Sequence, residues 1–172
     1  MIELLVVIAI IGALAAVLLM VINPVEIMRK SRDAKRFSAM ETIKSAIDLS
    51  LADGQTIPET GTGYIALNSS TNVADIDPDV ANVFNVSKYL PSFPQDPAYA
   101  ASGSINGIVT NVCATGAINK SEMEYRLWGD VTTNTYILRA HMESASNCNA
   151  VKTDGNDNST LELGTDPGLD AF

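Results

Sequence analysis

Few side chains in this chain stand where they could do chemistry. Glu3 is a lone carboxylate at the head of nineteen uncharged, almost wholly apolar residues, Leu4 to Ile22. An ionised group at the edge of such a run is costly unless it reaches water, lipid headgroups or a cation. Cys113 and Cys148 are the only cysteines. They allow one intramolecular disulfide if the chain is exported, and otherwise two buried thiols or a metal pair. No second Cys/His cluster accompanies them, which argues against zinc. Asp154, Asn156 and Asn158 set short oxygen ligands at alternate positions, a spacing able to wrap calcium. A full calcium loop would end in a Glu, and Glu162 is displaced from that register, so a polar Asx turn competes with the metal reading. His141 is the single histidine and falls within a strand pattern. Neither a Gly-rich phosphate loop nor a nucleophile elbow is present. The expectation is a protein that is not an enzyme.

The element that positions Glu3 is the apolar run itself. As a helix, Leu4 to Ile22 covers roughly 28 Å, close to the ~30 Å hydrocarbon thickness of a bilayer. A secretory signal would carry basic residues ahead of a shorter apolar core; only Met1 and Ile2 precede Glu3. Gly12 sits inside the run, and Asn23-Pro24 closes it, because Pro lacks a donor and clashes with the preceding turn. Five bases follow within eight residues: Arg29, Lys30, Arg32, Lys35 and Arg36. Such a cluster normally marks the cytoplasmic side of an anchor. It also reads as a solvated charge run touching lipid headgroups. Ala34, Phe37, Met40, Ile43, Ile47 and Leu51 then recur at helical spacing, with Lys35, Arg36, Glu41, Lys44 and Asp48 mostly off that stripe. Asp53-Gly54 supplies the stop. The pattern predicts one long interrupted helix over 2–52.

Charge divides the chain. The net charge is −9, made of +1 over residues 1–52 and −10 over 53–172. An acidic head repels phosphates and excludes a broad nucleic-acid surface. Residues 55–100 are punctuated by Gly61, Gly63, Pro78, Pro91, Pro94 and Pro97, and predict a loop region with one short helix around Asp79–Lys88. Glu124–Gly129 and Thr135–His141 alternate as strands, with Ile105–Thr110 and Thr160–Leu163 as weaker candidates. Tyr125 and Leu127 share one strand face, as do Tyr136, Leu138 and Ala140, and one face is expected to cover the helical stripe. Asn-x-Ser/Thr occurs at Asn68, Asn85, Asn119 and Asn158, a motif that arises easily by chance.

Ile2 to Gly12, Ile-Glu-Leu-Leu-Val-Val-Ile-Ala-Ile-Ile-Gly, resembles the N-terminal segment of type IV pilins and the related pseudopilins, nearly letter for letter over eleven residues and loosely through Leu19. Tyr89–Pro97 and Gly164–Pro167 resemble, more weakly, turns of the same family. The resemblance implies a basic leader removed by a membrane peptidase, methylation of the new amino terminus, and extraction from the bilayer into a helical filament with the apolar helices at its centre. It implies that Glu3 pairs with the amino terminus of a neighbouring subunit, an exchange of two isolated buried charges for one pair. Such proteins usually carry a lead like Phe-Thr-Leu before the Ile-Glu pair, so a leader and one or two mature residues are expected ahead of Met1. Related pilins can lose helix between a similarly placed Gly and Pro; for Gly12 and Pro24 a simple kink is the equal alternative. The family places the basic neck outside the membrane, against the usual rule for bases. An outside location favours a Cys113–Cys148 disulfide, whose loop of roughly 35 residues would contribute about 3–4 kcal/mol from loop entropy. Pseudopilins often bind calcium in a C-terminal loop, which draws attention to Asp154, Asn156 and Asn158.

The expected architecture is α+β, the pilin fold: a long N-terminal helix packed on a small antiparallel sheet of three to four strands. Residues 1–24 form the transmembrane or filament-core helix, 25–54 the amphipathic half and 55–172 the head. The expected function is a structural subunit of an extracellular type IV pilus serving adhesion, motility or DNA uptake. It is held in the inner membrane before assembly and handled by a prepilin peptidase and assembly machinery. Its partners are further copies of itself, with no cofactor except calcium at the C-terminal loop. The alternatives are a periplasmic pseudopilin of type II secretion and, from another class, a membrane-anchored ligand-binding domain that never polymerises.

Overall fold

The structure is a computed structural model that describes residues 2–21, 23–76, 83–110 and 114–169; of Leu19, Met20, Val21 and Thr110 only the backbone is described. Two helices open the chain, α1 over Ile2–Val21 and α2 over Pro24–Ala52. Pro24 is the first residue of α2, where its missing N–H costs nothing. Asn23 is the cap: its Oδ1 accepts from Val25 N at 3.1 Å and Glu26 N at 3.3 Å. Gly54, at φ +88°, takes the left-handed turn beyond the last helical residue.

The head is α+β. Its main sheet has four antiparallel strands in the order β1 (Ile65–Leu67), β4 (Tyr125–Asp130), β5 (Thr135–Ala140), β6 (Leu161–Gly164). Leu127 pairs with Leu138, and Leu138 with Leu163. Cross-strand partners face the same way, so Tyr125, Leu127, Tyr136, Leu138 and Ala140 all project to one face, where all five are buried. That face packs with Met40, Ile43, Ala46 and Ile47 of α2 into a single core. Burying each Ile or Leu there is worth ~1.5–3 kcal/mol. A separate two-stranded ribbon, β2 (Ser104–Thr110) with β3 (Ala114–Asn119), stands beside the sheet. It joins the head through Val109 N, which donates to Met142 O at 2.8 Å. Gly107 lies under the Arg29 guanidinium at φ +81°, a left-handed conformation that strains any other residue. The short helix α3 (Cys148–Thr153) precedes β6.

Several expectations need correction. Arg36 is not a solvated base off the stripe; it is fully buried, as is Asp33. Arg36 Nε and Nη2 donate to the two oxygens of Asp96 at 2.5 and 2.8 Å, Nη1 to Asp33 Oδ1 at 2.8 Å, and Nη2 also to Glu143 Oε1 at 2.6 Å. Asp33 in turn accepts the backbone N–H groups of Glu143 and Ser144 and the Asn147 side-chain amide. Arg32 reaches Glu143 as well, and Arg29 donates to Asn106 O. Of the five neck bases only Lys30 and Lys35 are exposed. Ala34, assigned to the apolar stripe, is exposed, because the buried face of α2 rotates toward Asp33 and Arg36 at this end. Residues 79–82 of the expected short helix lie outside the described residues, and Val83–Lys88 is not helical. Phe84 and Val86 are buried instead, held by Ile76 N to Phe84 O and Val86 N to Val73 O. Ile105–Thr110 is a strand as expected, but it pairs with β3 in the ribbon rather than joining the main sheet.

Removing one member of a buried ionic network leaves the others uncompensated, at ~3–5 kcal/mol. Arg36→Ala is therefore expected to lower stability by about that amount, read as a fall in the urea midpoint of the head's transition with the chain in detergent micelles. An unchanged midpoint contradicts the placement of Arg36.

Candidate functional site

Of the residues singled out for assembly, Glu3 and Gly12 lie on α1, and Pro24 opens α2. Every described side chain from Ile2 to Leu18 is exposed. Ile2 is 79% exposed, and Leu4, Leu5, Ile8, Ile11 and Leu14 are 60–69%. Apolar residues cover the helix all round rather than along one stripe, the mark of a helix that needs apolar surroundings on every side. The twenty residues of α1 rise about 30 Å. Its described side chains stop at Leu18, and among the described residues no helix is long and apolar enough to cross a membrane. Glu3 occupies the first turn, where the helix dipole favours a carboxylate. Gly12 is within a continuous helix, and open space surrounds the position its Cβ would take. Helix persists from Gly12 to Val21, and α2 begins at Pro24. Val25, Ile27 and Met28 extend the exposed apolar surface into the first turns of α2.

The second group, the C-terminal loop, uses its oxygens on its own chain. Asp154 Oδ2 accepts from Glu162 N at 2.7 Å. Asn156 Oδ1 accepts from Arg139 Nη2 at 3.2 Å. Asp157, which the alternate spacing passed over, organises the turn: it accepts from Ser159 N at 2.8 Å and from the Thr160 hydroxyl at 2.9 Å. Its carboxyl is held below the usual range, since these hydrogen bonds outweigh the burial that pushes it up. Glu162, fully buried, accepts from Asp157 N and faces Arg139 Nη2 at 2.5 Å. A guanidinium thus stands against the loop's carboxylates, and among the described residues no group of three or more Asp, Glu, His or Cys is arranged to hold a metal. Asn158 is half-buried in the turn. Cys148 is disulfide-bonded; Cys113, the only other cysteine in the chain, lies outside the described residues.

The groups missed from sequence are Asp96 and Glu143. Asp96 lies in the Leu90–Pro97 turn and both caps it, accepting from Ala98 N at 2.7 Å, and receives Arg36. A lone acid between two prolines was a legible turn signal, but its ionic partner sixty residues earlier was not.

Comparison with protein-family models, curated proteins and solved structures gave no match.

Burial pushes the Glu143 carboxyl up, but hydrogen bonds and charges from Arg32 and Arg36 outweigh it and hold the group below its usual range. A carboxylate whose folded pKa is depressed stabilises the fold above its unfolded value, ~4.3, and loses that contribution as pH falls through the folded value. The stability difference between the parent chain and Glu143→Gln should therefore be largest at neutral pH and shrink below about pH 4.3. Urea midpoints of both chains across pH 3–7 measure it; a constant difference contradicts the ion pairing.

Proposed function

We propose that this chain is a pilin-like structural subunit that polymerises through α1 into an extracellular filament. The observation that supports it best is the pairing of a head that has its own packed core with a helix whose described apolar side chains are all exposed. An apolar surface of that size marks contact with lipid or with other protein. Before assembly the bilayer serves as that surrounding, with Leu4 to Ile22 as the anchoring run. In the filament the α1 helices of neighbouring copies replace the lipid. The exchange costs little, because lipid chains and apolar side chains solvate one another equally well.

Glu3 gives the assembly its register. In a bundle of apolar helices its carboxylate needs a cation, and the free amino terminus of an adjacent subunit is one of matching charge. Such a pair adds little net stability, because desolvation offsets the attraction; unpairing it is what costs. Lys30 and Lys35, the exposed bases of the neck, would pair with acidic heads of neighbouring copies on this reading.

Glu3→Ala should leave the chain in the membrane fraction and sharply reduce or disorder filaments, scored by electron microscopy of sheared material with the subunit identified by mass spectrometry. Filaments of normal number and order from that variant would count against the proposal and favour an anchored domain that does not polymerise.

A further inference from the structure

The main sheet has a second face, turned away from α2, and it is built of charge and aromatic rings. Arg126, Arg139 and Glu162 form one cross-strand row, and Trp128 begins the next. The Arg126 guanidinium lies 4.4 Å from the Tyr64 ring centroid. Tyr64 and Trp128 are 5.2 Å apart and tilted by 43°, and the Arg139 guanidinium lies 4.8 Å from Trp128. Between this ladder and the Asp157–Thr160 turn is a cleft of about 260 Å³, with Glu124, Arg126, Trp128, Arg139, His141 and Asp157 in its lining.

Three nitrogens of that lining are buried without a hydrogen-bond partner: Arg126 Nε, Arg139 Nε and His141 Nδ1. Arg126 Nε has only Glu124 Oε1 near it, at 3.6 Å, too far for a hydrogen bond. Arg139 is nine-tenths buried. Unpaired polar atoms are costly in a folded core, and such a cluster calls for an external partner. Burial, with the nearby Arg126 charge, pushes the His141 pKa down, against a Ser159 backbone hydrogen bond and the charges of Asp157 and Glu122.

The signs in the cleft decide the kind of partner. Two guanidinium groups face two carboxylates, Glu124 and Asp157, so an anion or a cation is repelled by half of the lining. A hydroxyl both donates and accepts, and suits both halves. The half-buried Trp128 indole adds an apolar wall at the same place. The volume is slightly under the ~300–1,000 Å³ of pockets for drug-sized ligands, which fits one ring. We propose that this cleft binds a single hydroxyl-rich sugar ring, such as the end unit of a glycan, packed against the Trp128 indole and hydrogen-bonded by Arg126, Glu124 and His141. The site does not depend on the assembly reading, because α1 takes no part in it.

Trp128 is the only tryptophan in the chain, so its emission reports on the cleft directly. The full chain, in micelles of a zwitterionic detergent that contains no sugar, would be titrated separately with glucose, galactose, mannose and N-acetylglucosamine. A saturable change with at least one sugar, at a Kd of about 1 mM or below, is expected. Glu124→Gln and Arg126→Gln should each weaken it about tenfold, the worth of one hydrogen bond to a charged group. Tyr64→Ala, at a residue 45% exposed, serves as a third variant should either of these misfold by circular dichroism. Silence from all four sugars, in both Trp128 emission and the Trp128 indole N–H resonance, overturns the proposal. So does a response that the folded variants leave unchanged, or saturation by acetate or phosphate in place of the sugars.

Discussion

The buried guanidinium of Arg36 is the constraint from which the head's arrangement follows. A cation with no solvent exposure is tolerable only if carboxylates converge on it, and here three do, Asp33, Asp96 and Glu143. Asp33 lies one turn earlier on α2, Asp96 in the proline-rich loop and Glu143 just beyond β5. One side chain therefore ties together three segments far apart in the chain. Burial disfavours the charged guanidinium, but the hydrogen bonds and charges of Asp96 and Glu143 prevail and raise its pKa further above the ordinary range. The arrangement sets geometry more than it adds stability, because desolvating four charges offsets most of their attraction.

That ionic cluster lies near the upper part of α2, and the apolar core takes over below it. From Met40 to Ile47 the helix buries its stripe on the inner face of the sheet. At the far end, Tyr136 donates to Asp48 and Lys88 pairs with Asp53. α2 is thus held along its length by different chemistry at each level. Nothing comparable holds α1, whose described side chains are exposed throughout. The Asn23 cap and Pro24 separate a helix satisfied by its own head from one that needs other surroundings.

The two faces of the sheet carry the same division of labour. Alternation along β4 sends Tyr125 and Leu127 to the core and Arg126 and Trp128 outward. The outer row is only partly satisfied within the chain, whereas the inner row is fully packed.

The sequence by itself determined what depends on local chemistry. The apolar run, the Asn-Pro break, the helical stripe around Met40–Ile47 and the β4–β5 hairpin were legible because period, Pro and Gly act within a few residues of themselves. The Asp96 turn was legible for the same reason. Tertiary structure decided whatever depended on partners far along the chain. Arg36 read as one of five solvated bases, since nothing nearby in sequence says that Asp96 and Glu143 will reach it. β1 and β3 were too short and too mixed in composition to show a period; pairing with β4 and β2 supplies the order their own residues lack. The oxygens of Asp154 and Asn156 looked free to hold a cation until folding brought Arg139 and the Glu162 backbone to them. A charge finds its counter-charge only through the fold, so buried electrostatics is the part of this protein that sequence could not show.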